Sequence, residues 1–232
     1  MRGSIYHNID KANVRREYAQ ASTAENDFER AKWGSHESMI NRFHLAEHLV
    51  DWASVGDWLD VGCGAGLMFE TVEGAGRAFK RLVGVDITAE VLSFASTRKL
   101  QSPAEFYVLD LEAMPQDFYG AFDLVSMIGV LQQCGNLPAP VLAAVSSAVR
   151  PGGQLFLTTK NLGWKAFLEE GFEPEAGHSW FVYDELVDIL HNVGMEIVQA
   201  GGFLPQENKI VDMDASHTLY ILARKVEDQE VE

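Results

Sequence analysis

The chain has 232 residues, of which 47% are hydrophobic, a length and composition typical of one globular domain with a buried core. Its 18 basic and 34 acidic residues give a formal net charge of −16, which repels a phosphate backbone and disfavours a nucleic-acid partner. Two cysteines without metal or disulfide spacing, and no early apolar stretch of signal-peptide or membrane-span length, predict a cytoplasmic protein without a membrane span. The oligomeric state has no sequence signal and stays unknown.

Helical and strand periods alternate along the chain, which predicts an α/β fold with helices on both faces of a mostly parallel sheet. We predict helices over 37–53, 88–99, 138–149 and 182–193. Most of the predicted strands are apolar runs, as buried parallel strands require. They cover 57–61, 81–85, 105–109, 122–127, 153–159, 195–202 and 217–225.

The first predicted strand breaks into three glycines at alternate positions, Gly62, Gly64 and Gly66. Such a turn lets backbone N–H groups meet a ligand with no side chain between them. Asp86 follows twenty residues after the last glycine, and a carboxylate there can accept hydrogen bonds from both hydroxyls of a ribose. Leu67 stands where a dinucleotide fingerprint needs its third glycine, so a nicotinamide oxidoreductase is the weakest alternative. The pattern predicts a nucleoside cofactor site.

This G-x-G-x-G turn, with Asp60 ending the strand before it, resembles the first motif of the class I S-adenosylmethionine-dependent methyltransferases. Segments 106–111, 122–127 and 150–157 resemble three later motifs of that family. The resemblance implies a Rossmann-like, seven-stranded, mostly parallel sheet with an antiparallel edge strand, and S-adenosylmethionine as cofactor. It also implies the cofactor-binding residues Asp60, Gly62, Cys63, Gly64, Gly66, Asp86, Ile87, Asp110, Leu111 and Met127.

Within the resemblance, each cofactor residue has an expected role. The backbone of 62–66 faces the methionine portion of the cofactor, and Asp60 anchors its amino group. Asp86 holds the ribose hydroxyls and Ile87 covers one face of the adenine. Asp110 reaches the adenine amino group, with Leu111 offering its backbone N–H. Cys63 is expected to fill the turn as a small buried side chain.

A closer resemblance is to the ubiquinone-biosynthesis O-methyltransferases. Asn41-Arg42 ends eighteen residues before Asp60, similar to an Asn-Pro-x-Arg element whose arginine binds the cofactor carboxylate in that group. The group's Glu-His pair after the fourth strand is replaced here by Gln132-Gln133. Two amides can orient a substrate, but neither can take its proton or act as an anionic metal ligand. We therefore expect no metal, and assign Gln132 to the substrate.

A base for the reaction has two candidates. His178 precedes the last predicted helix, in a loop that caps the substrate pocket in related folds, and a neutral imidazole there can accept a phenolic or amine proton. His36 lies just before the first predicted helix, in a segment that often closes over the same pocket. Trp180 and Tyr183 are the further substrate candidates of the loop around His178.

These residues predict a methyltransferase that transfers a methyl group to an oxygen of a small aromatic metabolite in secondary metabolism, with nitrogen or carbon as the less favoured acceptor atom. We divide the chain into an N-terminal helical or lid segment over 1–36, the methyltransferase domain over 37–225 and an acidic disordered tail over 226–232. The alternatives are a protein or tRNA methyltransferase, and a non-methylating homologue that binds the cofactor as a binding module.

Overall fold

The computed structural model describes residues 3–134 and 137–227. Within them, the strands are β1 (Asp57–Val61), β2 (Arg81–Asp86), β3 (Ala104–Val108), β4 (Phe122–Ile128), β5 (Val149–Lys160), β6 (Met195–Leu204), β7 (Lys209–Val211) and β8 (Thr218–Lys225). The α-helices are α1 (Lys11–Ala21), α2 (Asp27–Arg30), α3 (His36–Leu49), α4 (Leu67–Gly74), α5 (Ala89–Ala95), α6 (Pro138–Ala148), α7 (Ala166–Glu169) and α8 (Tyr183–Asn192).

All eight described strands form one sheet in the order β3-β2-β1-β4-β5-β8-β6-β7. β1 to β5 pair in parallel, while β8 runs antiparallel to both β5 and β6. The predicted fold class is therefore confirmed. The predicted strand count of seven was wrong, because β7 adds a short antiparallel strand against β6. Three residues are too few for a period-two pattern to be recognised.

The sheet has an apolar core on each face because side chains alternate across a strand. Trp58 of β1 and its register partners Leu82 and Leu124 belong to the cluster that contains the apolar side chains of α3 and α4. The next residue of β1, Leu59, and its partner Val83 belong to the cluster that contains those of α6 and α8. Helices cover both faces, as predicted.

Two helices end earlier than the sequence predicts. α3 ends at Leu49 rather than at 53, because Val50 takes an extended backbone conformation and a short 3-10 turn, Trp52–Ser54, follows. α5 ends at Ala95 rather than at 99. Both differences leave the strand order unchanged.

The chain before α3 crosses the edge of the sheet where the parallel strands end. Ile5 and Trp180 exchange two backbone hydrogen bonds of 2.8 Å, which joins this segment to the loop before α8. α1 then contacts α5. Residues 1–2 of the predicted N-terminal segment and 228–232 of the predicted tail lie outside the described residues. No helix in the described part of the chain is long and apolar enough to cross a membrane.

Candidate active site

The glycine turn after β1 uses left-handed backbone at each of its glycines. Gly62, Gly64 and Gly66 have φ angles of 70°, 53° and 73°, a region that side chains disfavour. At Gly62 an added Cβ would also lie 2.3 Å from Cγ2 of Val130. The N–H of Gly66 closes the turn onto the carbonyl of Cys63 at 2.9 Å. Glycine is therefore required here by backbone geometry and, at position 62, by space.

A cavity opens above this turn at the carboxyl ends of the parallel strands, and we call it the turn cavity. It encloses about 970 Å³ of empty space, its open mouth included. Six of the expected cofactor residues line it: Gly62, Gly64, Asp86, Ile87, Asp110 and Leu111. α1 covers it with Lys11, Val14 and Tyr18, which lie in the predicted lid segment.

Asp86 ends β2 inside the turn cavity. Its carboxylate accepts backbone hydrogen bonds from Gly64 at 3.1 Å and Thr88 at 2.9 Å. Burial raises its pKa in spite of these bonds. A buried carboxylate in this state fits a ligand that brings its own hydroxyl donors.

Asp60 lies on the other side of the turn, in a narrow space that we call the crevice; Cys63, Met39 and Phe43 line it as well. The hydroxyl of Ser126 donates to Oδ1 of Asp60 at 2.5 Å. Burial, followed by the charge of Asp86, raises the pKa of Asp60 to about 7. A carboxylate held here without a cation fits the amino group of a bound amino acid. Burial also raises the pKa of the Cys63 thiol, so Cys63 acts as a filler of the turn.

Asp110 ends the loop after β3 and is held by α1. Lys11 donates to its two carboxylate oxygens at 2.8 and 3.0 Å, and Lys11 also contacts Glu112 at 2.8 Å. Burial raises the pKa of Asp110, but the bonds from Lys11 and from the amide of Glu112 bring it below its usual value. Lys11 therefore occupies the carboxylate of Asp110, a contact that no local sequence pattern indicated.

A second cavity adjoins the turn cavity, and we call it the polar cavity. It is as large, about 970 Å³ with its mouth. Its lining includes Tyr18, Trp33, Arg42, Gln132, Gln133, Thr159, Lys160, Glu175, His178, His217 and Thr218.

Trp33 lines the turn cavity, the crevice and the polar cavity. It packs on Gly129, where an added Cβ would lie 2.4 Å from Cη2 of the indole. Gly129 follows β4, so the end of that strand leaves room for the ring. The indole therefore marks the point at which the three spaces meet.

Arg42 lies in the polar cavity rather than the turn cavity. Its guanidinium donates to the carbonyl and hydroxyl of Ser38 at 2.7 and 2.6 Å and stacks 4.5 Å from the centre of the Trp33 ring. Burial lowers its pKa to about 10, and no described carboxylate offsets the charge. A buried guanidinium without an acid partner fits a ligand carboxylate.

His178 forms part of a connected polar cluster in this cavity. Its Nε2 lies 3.1 Å from Nε2 of Gln133, whose Oε1 accepts a hydrogen bond from the hydroxyl of Tyr18 at 2.7 Å. Its Nδ1 lies 3.3 Å from Oε2 of Glu175. Burial lowers the pKa of His178, which keeps the ring neutral and able to accept a proton near neutral pH.

Four expected site residues have other surroundings. Met127 is buried among the apolar side chains on the α6 and α8 face, because residues alternate along β4; its neighbour Ile128 lines the turn cavity instead. Trp180 is buried and donates to the carbonyl of Glu175 at 3.1 Å. Tyr183 packs against the same apolar core as Met127. None of these three side chains, nor the exposed His36, lines the turn cavity, the crevice or the polar cavity.

Gln132 lines the polar cavity, but both ends of its amide bond to the protein. Nε2 donates to the carbonyl of Gly129 at 2.8 Å, and Oε1 accepts from the hydroxyl of Thr159 at 3.2 Å. Gln132 thus links the segments that follow β4 to the end of β5. Within the described residues no group of three His, Cys, Asp or Glu side chains could hold a metal ion.

Residues 59–157 match the family model of a methyltransferase domain. The chain is 33% identical over 112 residues to a ubiquinone biosynthesis O-methyltransferase of Burkholderia multivorans, which covers 47% of each protein. It is 28% identical over 157 residues to the protein of the same description from Burkholderia thailandensis, covering 62% of this chain and 66% of that protein. The chain spans about half the length of several of the curated relatives it matches.

Over residues 59–157, the segment that contains the glycine turn and Asp86, the chain is therefore similar to a methyltransferase domain. The fold of the chain is similar to that of magnesium protoporphyrin IX methyltransferase from Synechocystis PCC 6803 with bound SAH, at 17% identity and a TM-score of 0.64 over 93% of this chain and 100% of that one. It is also similar in fold to the cyclase SpnF, at 19% identity and a TM-score of 0.67 over 98% of this chain and 100% of that one.

Sequence reasoning missed several residues of these cavities. Lys11 and Tyr18 of α1 carried no motif, and Lys160 is the last residue of β5, beyond the segment 150–157 on which the motif resemblance rests. Glu175 stands three residues before His178, a spacing that was visible in the sequence. Without the fold, nothing distinguished that carboxylate from the other acidic residues of the chain.

Proposed function

We propose that this protein transfers the methyl group of S-adenosylmethionine to an oxygen of a small aromatic metabolite. The observation that carries the proposal is the junction at Trp33, where a cavity with nucleoside-binding groups meets a polar cavity that contains a neutral imidazole. A methyl donor in the first and an acceptor in the second would meet at this junction. The replacement of the Glu-His pair by Gln132-Gln133 separates the chain from its ubiquinone-biosynthesis relatives and supports a role in secondary metabolism; a location in the cytoplasm stays a prediction from the sequence.

The described residues offer a partner for each polar part of the cofactor, which supplies an electrophilic methyl group when bound. Asp86 would accept from the ribose hydroxyls, and Asp60 would pair with the amino group. Arg42, which stacks on Trp33 where the cavities meet, is the buried cation suited to the carboxylate. Asp110 would serve the adenine amino group, with Lys11 released or shared. The lid would exclude water from the bound cofactor.

Methyl transfer requires mainly that the two reactants be positioned correctly, because the methyl group of a sulfonium is already activated. Holding two reactants at near-attack distance can supply about 7–11 kcal/mol of the barrier. The face of Trp33 suits an aromatic acceptor, and His178 suits a hydroxyl that loses its proton near neutral pH. The acceptor that fits this cavity best is a phenol or enol.

Calorimetric titration with S-adenosylhomocysteine tests the cofactor, with NAD in a parallel cell. We expect saturable binding of S-adenosylhomocysteine alone, and its loss in Asp86→Ala. Radiolabelled methyl transfer to a panel of phenols, amines and heterocycles then tests the acceptor. Transfer of the labelled methyl group to phenols but not to amines supports the proposal. Label on amines only, or binding of NAD only, contradicts it.

One observation favours a second candidate function, a cofactor-binding homologue that does not methylate. Gln132 and Gln133 both bond within the protein, and neither can take a proton from an acceptor. The similar fold of a cyclase suits this candidate. Tight binding of S-adenosylhomocysteine with no labelled product across the panel would favour it, whereas labelled protein or tRNA in cell extract would indicate a macromolecular acceptor.

A further inference from the structure

We propose that Glu175 and His178 form the proton-accepting pair of the polar cavity, in which Glu175 is the positioning residue for the imidazole. Gln133 and Lys160 hold the pair in place. This inference rests on the proposed function and names the machinery that would remove the acceptor's proton. The ubiquinone-biosynthesis O-methyltransferases that this chain resembles have a Glu-His pair after the fourth strand, where this chain has Gln132 and Gln133. We assign the role of an acid–imidazole pair to the loop before α8 instead.

The hydrogen bonds around Gln133 assign the tautomer of His178. Tyr18 donates its hydroxyl to Oε1 of Gln133 at 2.7 Å, so the amide NH₂ of Gln133 faces Nε2 of His178 at 3.1 Å. An amide nitrogen only donates. Nε2 therefore carries the free lone pair, and the ring proton is on Nδ1.

Nδ1 of His178 is shielded from solvent and has no hydrogen-bond partner of good geometry in the described structure. Oε2 of Glu175 lies 3.3 Å from it, so a small rotation of the carboxylate completes the bond. A carboxylate behind Nδ1 fixes the orientation of the ring and stabilises the imidazolium that forms on proton uptake. Proton uptake by the imidazole requires this arrangement, in which the buried Nδ1–H donor of His178 lies beside the carboxylate of Glu175.

Two contacts keep Glu175 next to the ring although its side chain is 57% exposed. Lys160 donates to Oε2 at 2.8 Å, and the backbone carbonyl of Glu175 accepts from the indole of Trp180 at 3.1 Å. The ammonium of Lys160 also lies 4.9 Å from the centre of the Trp180 ring. The carboxylate is therefore tethered to β5, and the backbone that carries it is tethered to its own loop.

The proton transfer balances within these groups. As the acceptor hydroxyl replaces the Gln133 amide at Nε2, its proton passes to Nε2 while its oxygen forms a bond to the methyl carbon. The carbon–sulfur bond breaks with its electron pair left on sulfur. The imidazolium is paired with Glu175, and its proton leaves to water through the open mouth of the cavity.

Charged groups on every side of His178 act on its protonation. Burial lowers its pKa, Glu175 raises it, and Lys160 and Lys32 lower it. His178 also lines an adjoining surface cavity, together with His7, Asp10 and Glu17. His217 lines the polar cavity. Among the groups that act on it most strongly, Glu175 is the one that favours the protonated ring.

The first test reads the imidazole directly and needs neither cofactor nor acceptor. Nitrogen-15 NMR of histidine-labelled protein gives the tautomer and the pKa of His178, assigned by loss of its signals in His178→Gln. We expect a protonated Nδ1 in the neutral ring, and a lower pKa in Glu175→Gln because a negative charge is removed. Glu173→Gln, an exposed glutamate of the same loop, is the matched control and should leave both unchanged. A protonated Nε2, or an equal pKa in Glu175→Gln and wild type, overturns the pair.

The second test uses an acceptor identified in the radiolabel screen. His178→Ala should lose about 100-fold or more in kcat, and Glu175→Gln about tenfold, as parts of the roughly 10²–10⁴-fold contributed by a general base. In Glu175→Gln the acidic limb of the pH profile should move to lower pH, with partial recovery in Glu175→Asp. Affinity for S-adenosylhomocysteine should stay constant throughout. Unchanged kcat in Glu175→Gln refutes the pair; NMR evidence for the pair without any methylated acceptor refutes the proposed function instead.

Discussion

Replacement of Asp60 by Asn should stabilise the cofactor-free protein and weaken cofactor binding at the same time. Asp60 is buried at the end of β1, and its pKa of about 7 compares with an ordinary value of 3.8. The unfolded chain ionises this group above pH 4, whereas the folded protein keeps it protonated up to about pH 7. Stability therefore falls as pH rises from about 4 to about 7, and the full loss persists above that range.

The difference between these two pKa values corresponds to a loss of about 4 kcal/mol in folding stability, at 1.36 kcal/mol per pKa unit. Relaxation and water in the crevice reduce this upper figure, so we expect Asp60→Asn to gain about 1–3 kcal/mol at pH 8. The asparagine carbonyl can still accept from Ser126, which leaves the local packing intact. At pH 5 only about a third of the wild-type loss has developed, so the gain should be correspondingly smaller, and it should vanish below about pH 4, where the aspartate is protonated in both states.

Urea unfolding at pH 5 and pH 8 measures the gain, with Asp188→Asn, an exposed aspartate of α8, as the control for the same change in net charge. Calorimetry at pH 8 should show S-adenosylhomocysteine bound roughly 10-fold to 100-fold more weakly, since a charge-assisted bond worth about 1.5–3 kcal/mol is lost. A variant that is less stable than wild type at pH 8, or one that binds with unchanged affinity, refutes the reasoning.

Two further substitutions test the turn cavity and its junction with the polar cavity. Asp86→Ala removes a buried acceptor and should weaken S-adenosylhomocysteine binding by about 100-fold, the equivalent of about 2.7 kcal/mol; calorimetry that shows wild-type affinity would contradict the assignment. Gly129→Ala places a Cβ at φ 68° and 2.4 Å from Trp33, whereas Gly120→Ala meets no atom within 4 Å at φ 62°. Both should lose about 1–2 kcal/mol from backbone strain, and Gly129→Ala about 1–3 kcal/mol more from the displaced indole. Equal losses in urea unfolding would show that Trp33 moves freely.

Local patterns predicted most of the sheet. The strands β1 and β4 are buried along their whole length, and β2 is buried at all but its two end residues, so they are recognised as parallel strands without knowledge of their neighbours. β3 and β7 are largely exposed; β3 was found from its place in the alternation of helices and strands, and the three-residue β7 was missed. Burial on both faces makes the strand signal strong, and an edge strand weakens it.

The sequence by itself determined the turn and its carboxylates, because glycine spacing and the acids at strand ends are short-range features that the order of strands brings together. Gly62, Gly64 and Asp86 met in one cavity for that reason. Only the tertiary structure decided that Lys11 holds Asp110, that Trp33 packs on Gly129 and that Met127 faces the core. These contacts join residues distant in the chain, or depend on which face of a strand a residue occupies, and the energy that selects them comes from packing of the whole fold rather than from any local pattern.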